Sequence, residues 1–297
     1  MATVLDRIHD AVQLLAEVSD TPRADAEFLM AHLLGVPRSR LPLHYGEDAD
    51  VPEFQIFVER RLACEPIPYI LGEWEFFSIP IKTRAPVLVP RPETEHLVEV
   101  VLEELRGKRL RSRTETAPQG PEIGAPPRIL ELCTGTGCVA VAIAKTFPGA
   151  QVVATDISDD ALALANENAG MHGLKSQISN LKGDLFDALG EGIGPFNVIC
   201  ANPPYVEDDA FPGLSASIRL YEDPRALVAG PDGLDVIRRI VAGAPRYLVD
   251  GGLLALEIGE GQYDAARPLL EAAGFRDVQA RNDLAGIQRI VLGRKQA

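Results

Sequence analysis

Arg128-Ile129-Leu130-Glu131-Leu132-Cys133-Thr134-Gly135-Thr136-Gly137 reads as a short apolar strand over 128–132 that breaks into a glycine-rich turn. Behind it the sequence from Val139 to Phe147 is helical, Gln151 to Thr155 is a strand, and Asp159 to Met171 is a helix. The same alternation continues. Further strands are expected near 178–182, 196–201, 252–258, 276–281 and 287–292, and helices near 232–248 and 262–273. Seven strands alternating with helices predict an α/β fold, a mostly parallel, Rossmann-like sheet covered on both faces. Too few residues separate the last two strands for a helical crossover. They are expected as an antiparallel hairpin at the sheet edge.

Upstream of this region the pattern is different. Leu5, Ile8, Val12 and Leu15 recur at helical spacing. Thr21-Pro22 is a helix start, with Thr as N-cap and Pro in the first turn, and Gly35 ends that helix. A third helix from near Pro52 carries Phe54, Phe57, Val58, Arg61 and Leu62. Residues 1–72 are therefore expected as a small helical bundle, of the kind that recognises a partner. Residues 73–92 lie in a proline-punctuated stretch with β-like segments at Glu75-Phe76-Phe77-Ser78-Ile79 and Val87-Leu88-Val89, which predicts a hairpin connector. Residues 93–297 are expected as the second, α/β domain. A helix is expected from Pro92 to Leu105, then a mobile loop over 107–127, basic at first and Pro/Gly-rich after.

Composition narrows the function classes. The chain has 297 residues, 46% of them hydrophobic and 24% charged, enough for two domains and a sizeable core. No apolar run approaches the roughly 20 residues that span a bilayer, and the N-terminus has no signal pattern, so a cytoplasmic protein without membrane contact is expected. Cys64, Cys133, Cys138 and Cys200 are scattered, which suggests neither disulfides nor a metal site. The formal net charge of −14 opposes broad attachment to a phosphate backbone, because that affinity comes from Lys and Arg. Nucleic acid is disfavoured as a partner, and a monomer is the default expectation.

Candidate site residues fall at the predicted strand ends, where such sheets bind ligands. Phe196-Asn197-Val198-Ile199-Cys200-Ala201 is a buried strand that delivers Asn202-Pro203-Pro204-Tyr205 at its C-terminal end. An amide on a backbone stiffened by two prolines suits the holding of a planar amino group; a Pro-Pro turn capped by Asn is the plainer reading. Cys133, Thr134, Gly135, Thr136 and Gly137 let the backbone approach a ligand closely, and acidic Glu131 beside them suits a cation better than a pyrophosphate. No P-loop lysine follows. Asp156, ending the second strand, can accept from both hydroxyls of a ribose; capping the next helix is the alternative. Asp184 can receive an adenine amino group while Leu185 packs on the ring. Together these residues describe a pocket for an adenosine that carries positive charge, which fits S-adenosylmethionine. A dinucleotide fits less well, since Ala140 stands where the third glycine of GxGxxG belongs.

These motifs, with Pro66-Ile67-Pro68-Tyr69-Ile70-Leu71-Gly72, Phe76, Val89-Pro90-Arg91-Pro92-Glu93-Thr94-Glu95, Asp232-Gly233-Leu234 and Asp283-Leu284-Ala285-Gly286, make the chain resemble the release-factor glutamine methyltransferase family (HemK/PrmC) over nearly its whole length. The resemblance implies a class I S-adenosylmethionine-dependent methyltransferase with an N-terminal helical domain. It implies N5-methylation of the glutamine in the Gly-Gly-Gln loop of peptide-chain release factors, with S-adenosyl-L-homocysteine as coproduct. Carried over by position, it sets Cys133 to Gly137 around the methionine part of the cofactor, Asp156 on the ribose and Asp184 with Leu185 near the adenine. It sets Asn202, Pro203, Pro204 and Tyr205 on the substrate amide as the catalytic residues, with Asn202 also beside the cofactor. Two positions depart from the family pattern: Cys133 stands where glycine is common, and Pro224 in Tyr221-Glu222-Asp223-Pro224-Arg225-Ala226-Leu227 falls one place late.

Asn-Pro-Pro-Tyr alone is shared with DNA adenine and some RNA guanine methyltransferases, so an amino-methyltransferase acting on adenine N6 or guanine N2 is the main rival reading. It predicts a basic groove. Only 106–113, with Arg106, Lys108, Arg109, Arg111 and Arg113, is locally basic, and a solvated loop accounts for that run. A non-catalytic module that binds the cofactor or bridges partners is a second rival; it leaves Asn202 to Tyr205 without a role.

Overall fold

The computed structural model describes residues 2–114 and 126–296. Two compact units emerge. One gathers Met1–Trp74, Thr83–Ala85 and Leu214–Glu222, the other Glu75–Lys82, Pro86–Gly213 and Asp223–Ala297. The units do not divide simply at residues 72 and 92. Hairpin residues 75–82 belong with the second unit, and 214–222 with the first.

The first unit is helical. Its helices are α1 (Val4–Leu15), α2 (Pro22–Leu33), α3 (Glu53–Leu62) and the short α4 (Ile67–Leu71), with a 3₁₀ segment over Arg38–His44. Thr3 and Asp6 form a reciprocal capping box that starts α1. Pro22 opens α2, though the Thr21 side chain makes no cap bond, and Gly35, at φ 65°, ends the turn beyond it. The expected period of α1 is right, with Ile8 and Leu15 buried as expected, but Val4 and Ala11 complete the buried face while Leu5 and Val12 are half-buried at its edge. The core collects these with Ala26, Leu29, Met30, Phe54 and Val58. The Arg61–Asp25 ion pair, at 2.7 Å, is nearly buried beside it.

β1 (Glu73–Phe76) and β2 (Ile79–Lys82) form a hairpin whose two-residue turn is Phe77-Ser78, both at positive φ. The expected 75–79 strand is thus folded back at its middle. Val87–Val89, expected as β-like, form no strand; Val87 packs on Ala161 and Leu164 instead. The helix expected to stop at Leu105 runs on as α5 (Glu95–Thr114), which corrects the first part of the predicted 107–127 loop. Arg, Lys and Leu are good helix formers, and together they outweigh one glycine, Gly107. Residues 115–125 of that predicted loop lie outside the described residues.

The remaining elements are β3 (Arg128–Leu132), α6 (Cys138–Thr146), β4 (Gln151–Asp156), α7 (Asp159–Met171), β5 (Ile178–Lys182), β6 (Phe196–Ala201), α8 (Ala216–Tyr221, in the first unit), α9 (Asp235–Tyr247), β7 (Leu248–Glu257), α10 (Tyr263–Ala272), β8 (Phe275–Asn282) and β9 (Gln288–Lys295). The seven strands order as β5-β4-β3-β6-β7-β9-β8, parallel through β7 and antiparallel for β9 and β8, as the spacing predicts. The sheet is buried on both faces. One face holds Leu97, Val101, Val139 and Ile143 over Ile129, Val198 and Ala255. The other holds Ile237, Ile240 and Leu270 over Leu130, Ile199 and Leu254. Asn168, fully buried on α7, joins three segments: Oδ1 accepts from Lys82 N, and Nδ2 donates to Lys82 O and Thr136 O. No helix among the described residues is long and apolar enough to cross a membrane.

Candidate active site

Parallel register decides which residues meet. Leu132 lies beside Thr155 on one side and Ala201 on the other, and Asp156 beside Lys182. Cys133, Asp156, Gly183 and Asn202 therefore leave the sheet at one level. They do so where the strand order reverses between β3 and β6, the ligand-binding edge of such sheets.

The glycine turn is fixed from below. Cys133, Gly135 and Gly137 all have positive φ (58°, 55° and 78°), so Cys133 occupies a conformation that favours glycine. A Cβ on Gly137 would stand 3.0 Å from the Ala165 Cα, so the absence of a side chain lets α6 lie against α7. Thr134 N donates to Thr155 O, Gly137 N to Thr134 O, and Gly135 N to Asp156 Oδ2 at 2.9 Å. Glu131 differs from expectation: it is 2% exposed and stands outside the cleft lining. Side chains alternate along a strand, and Glu131 follows Ile129 toward the α6 face. There it accepts from Thr134 Oγ1 at 2.9 Å. Burial pushes its carboxyl up to about 8, with the nearby Asp156 charge adding to the effect and the Thr134 hydroxyl and Ala140 N–H opposing it.

A cleft of about 950 Å³, counting its open mouth, lies over these strand ends. Of the residues singled out from the sequence, Cys133, Gly135, Asp156, Asp184, Leu185, Asn202 and Pro204 line it. Thr134, Thr136 and Gly137 are buried beneath the turn, and Pro203 and Tyr205 stand outside the lining. Asp156 does not cap α7; Ser158 does, accepting from Ala161 N. Asp156 instead accepts from Ser158 N and Gly135 N, one bond to each oxygen, and burial raises its pKa. Asp184 is half-exposed and paired with Arg239 at 2.8 Å. Leu185 beside it is buried with φ 53°. Burial, with Asp156, Glu131 and Asp184 nearby, pushes the Cys133 thiol far up, so it is a neutral thiol. Pro224 opens a 3₁₀ turn capped by Asp223, and Asp223 and Arg225, an ion pair at 2.6 Å, line the cleft mouth.

Residues that sequence reasoning gave no role hold Asn202 and Tyr205. Asn202 Nδ2 donates to the buried Thr94 Oγ1 at 3.1 Å. Tyr205 OH donates to Glu257 Oε1 at 3.2 Å. Glu257 is 1% exposed, and burial pushes its carboxyl up to about 7 against the opposing effect of the nearby Thr94 and Tyr205 hydroxyls. Burial and Glu257 together raise the Tyr205 phenol. Gln262 Nε2 donates to Tyr205 O at 2.9 Å while Gln262 Oε1 accepts from Gly259 N, and Tyr205 N donates to Leu227 O. A Cβ on Gly233 would meet Tyr205 O at 2.2 Å. Glu257 carried a signal in the sequence, a single acid ending the apolar run Leu253-Leu254-Ala255-Leu256, since buried carboxyls need partners. Among the described residues no cluster of three His, Cys, Asp or Glu could hold a metal ion.

Residues 6–72 match the family model of the PrmC N-terminal domain, and 122–219 that of the methyltransferase small domain. A release factor glutamine methyltransferase of Thermodesulfovibrio yellowstonii is 39% identical over 276 residues, 91% of this chain and 92% of that protein. One of Coxiella burnetii is 37% identical over 99% of this chain and all of its own length. Among solved structures, the human METTL16 catalytic domain in complex with an MAT2A 3′UTR hairpin superposes with a TM-score of 0.55 at 14% identity, covering 73% of this chain and 76% of that one. The 16S rRNA N2 G1207 methyltransferase of T. thermophilus, in complex with AdoMet and guanosine, reaches 0.50 at 19%, covering 75% and 50%. These two share the fold.

Proposed function

The chain belongs to the family of release factor glutamine methyltransferases, and we propose that it transfers a methyl group from S-adenosylmethionine to the side-chain nitrogen of the glutamine in a release factor's Gly-Gly-Gln loop. On this reading it acts as a monomer in the cytoplasm, with the helical N-terminal region, 1–72, engaging the factor.

The cleft fits the cofactor. Thr134, Gly135 and Gly137, whose N–H groups would cradle a phosphate, have already donated them within the protein. Both cleft arginines are matched by carboxylates, Arg225 by Asp223 and Arg239 by Asp184. A pyrophosphate would find few free donors there, whereas an adenosine bearing a sulfonium needs few. Asp156 uses one bond on each oxygen and retains lone pairs for two ribose hydroxyls. Leu185, Ile157 and Val236 offer apolar surface to a base, with Asp184 at its edge. Cys133 to Gly137 would follow the methionine part. The bound cofactor supplies an electrophilic methyl, beside which the neutral Cys133 thiol does not compete as a nucleophile.

One observation carries the substrate assignment: Asn202 has committed its Nδ2 to Thr94, which leaves Oδ1 as an acceptor at the cleft. Asn202 Oδ1 and the Pro203 carbonyl accept the two N–H bonds of the glutamine amide and aim its nitrogen. Pro203 and Pro204, both buried, hold these acceptors in place before the substrate arrives. Tyr205 walls the site. The nitrogen would gain the methyl as the sulfonium S–CH₃ bond breaks and S-adenosyl-L-homocysteine leaves, and the cationic product amide would shed its extra proton to solvent, so no general base is required. A glutamate would leave both acceptors unpaired, at roughly 1–3 kcal/mol each, and add a negative charge. The test is methyl transfer from labelled cofactor to a purified release factor, beside its Gln→Glu loop variant and bulk DNA. Label on the wild-type factor alone is expected. Label on DNA would establish the nucleic-acid reading instead.

A further inference from the structure

Asn202 can serve a glutamine amide only if its oxygen, and not its NH₂, faces the ligand, and nothing about an isolated asparagine decides which does. The answer lies one strand away. Ala201 on β6 pairs with Leu256 on β7, so Asn202 and Glu257 leave adjacent strands at the same level. Alternation sends Glu257 toward the face on which Thr94 and the start of α5 lie. A threonine hydroxyl has one hydrogen and two lone pairs. Asn202 Nδ2 donates to Thr94 Oγ1 at 3.1 Å, so the one hydrogen of that hydroxyl is left for another acceptor, and the buried Glu257 carboxyl stands next to it.

We propose that Glu257 is a positioning residue that, through Thr94, fixes the Asn202 amide with Oδ1 toward the substrate and thereby sets the preference for glutamine. This rests on the substrate reading above. Glu257 holds Tyr205 through the same carboxyl, Tyr205 OH donating to Oε1. Its Oε2, fully buried, accepts no hydrogen bond of normal geometry, and the Thr94 hydroxyl is the donor beside it. Glu93 and Arg289 are the charged groups that face this carboxyl, with opposite effects on it. A buried carboxyl with one oxygen unpaired is costly for stability, so its retention calls for a reason beyond packing. A glutamine in its place keeps a single acceptor oxygen, and with that oxygen holding Tyr205 its NH₂ would set a donor beside Thr94. The Thr94 hydrogen would then turn to Asn202, and the Asn202 amide would reverse and present donors to a substrate that also donates.

A double-mutant cycle tests the chain of bonds. Glu257→Gln and Thr94→Val are each expected to lower kcat on a release factor about tenfold, one oriented hydrogen bond, with cofactor affinity within about threefold of wild type by calorimetry. Acting through one chain, the double variant should lose no more than about tenfold. Thr94→Ser, which keeps the hydroxyl, should stay near wild type, a rescue that a purely structural role for Thr94 would not give. Independent losses multiplying to about a hundredfold would overturn the inference, and so would an unaltered kcat in Glu257→Gln or a Thr94→Ser as slow as Thr94→Val. If Glu257→Gln does not fold, the two Thr94 variants decide. Wild type assayed alongside separates the two questions: no label on the factor refutes the substrate reading, whereas labelled factor with multiplying losses refutes only this inference.

Discussion

Replacing Glu131 by glutamine should stabilise the chain at alkaline pH and change little in acid. In the unfolded chain a glutamate loses its proton near 4.5, whereas burial holds that of Glu131 to about 8. Between those values the folded chain keeps a proton that the unfolded chain has released. Stability therefore falls as pH rises, at about 1.4 kcal/mol per pH unit for one proton. The contribution is fully present below pH 4.5 and lost by about pH 8, so the whole window is worth at most about 5 kcal/mol, an upper bound because water penetration and relaxation reduce it. Glutamine resembles the protonated form, with one acceptor for Thr134 or the Ala140 N–H and no charge. Urea unfolding followed by circular dichroism at pH 5 and pH 9 measures the difference. Near pH 5 the variant should match wild type within about 1 kcal/mol, and at pH 9 it should be more stable by a few kcal/mol. A difference that does not grow with pH, or one that favours wild type at pH 9, would refute the claim that Glu131 sits under the turn as a desolvated acid.

Asn202→Ala should lower kcat by about 10²–10³ while cofactor affinity, read by calorimetry, stays within a few-fold; equal loss of both would remove Asn202 from the substrate amide. Asp156→Ala should weaken cofactor binding by about 10–100-fold, because it removes the proposed ribose acceptor and also frees Gly135 N, and unchanged affinity would contradict the ribose assignment. Gly233→Ala places a Cβ 2.2 Å from Tyr205 O at a φ of 67°; turnover should fall at least tenfold with the fold intact, and a fully active variant would show that the Tyr205 backbone does not need to be held there.

The sheet was readable because most of its strands are short apolar runs bounded by turn residues. Ile178–Lys182 and Phe196–Ala201 fall where periodicity places them, and α7 starts at Asp159 because Ser158 caps it. In α1 the period and two of its core positions, Ile8 and Leu15, are visible, but the choice of Val4 and Ala11 over Leu5 and Val12 is made by the helices packed on it. The end of α5 is missed because a basic stretch poor in apolar residues reads as a loop, although Arg, Lys and Leu are good helix formers and one glycine in a helix costs only about 1 kcal/mol. In the site, Cys133, Asp156, Asp184 and Asn202 were legible from the fact that each follows or ends a strand. Glu131 was assigned to the ligand because a sequence gives adjacency to a loop but not which way a strand side chain turns. The partners of Asn202 and Tyr205 lie 108 and 52 residues away, at Thr94 and Glu257. Only the tertiary pairing of β6, β7 and the start of α5 brings them in.

The charge arrangement of the cleft bears on the choice between a protein amide and a nucleobase, which Asn-Pro-Pro-Tyr alone leaves open. Of the residues lining it, Asp156, Asp184 and Asp223 are acids and Arg225 and Arg239 are bases, so the acids outnumber the bases by one. Each base is already held by a carboxylate at 2.6–2.8 Å. To engage a phosphate either arginine would have to give up a charge-assisted bond of comparable strength, and the exchange would gain little. A nucleic-acid enzyme with the same acceptor pair needs cations free to replace the counterions it displaces. A glutamine side chain brings no charge and asks only for acceptors, and a sulfonium is favoured by an acidic surround. The cleft and the net charge of −14 therefore favour the same pair of ligands, a cationic methyl donor and a neutral amide on a protein.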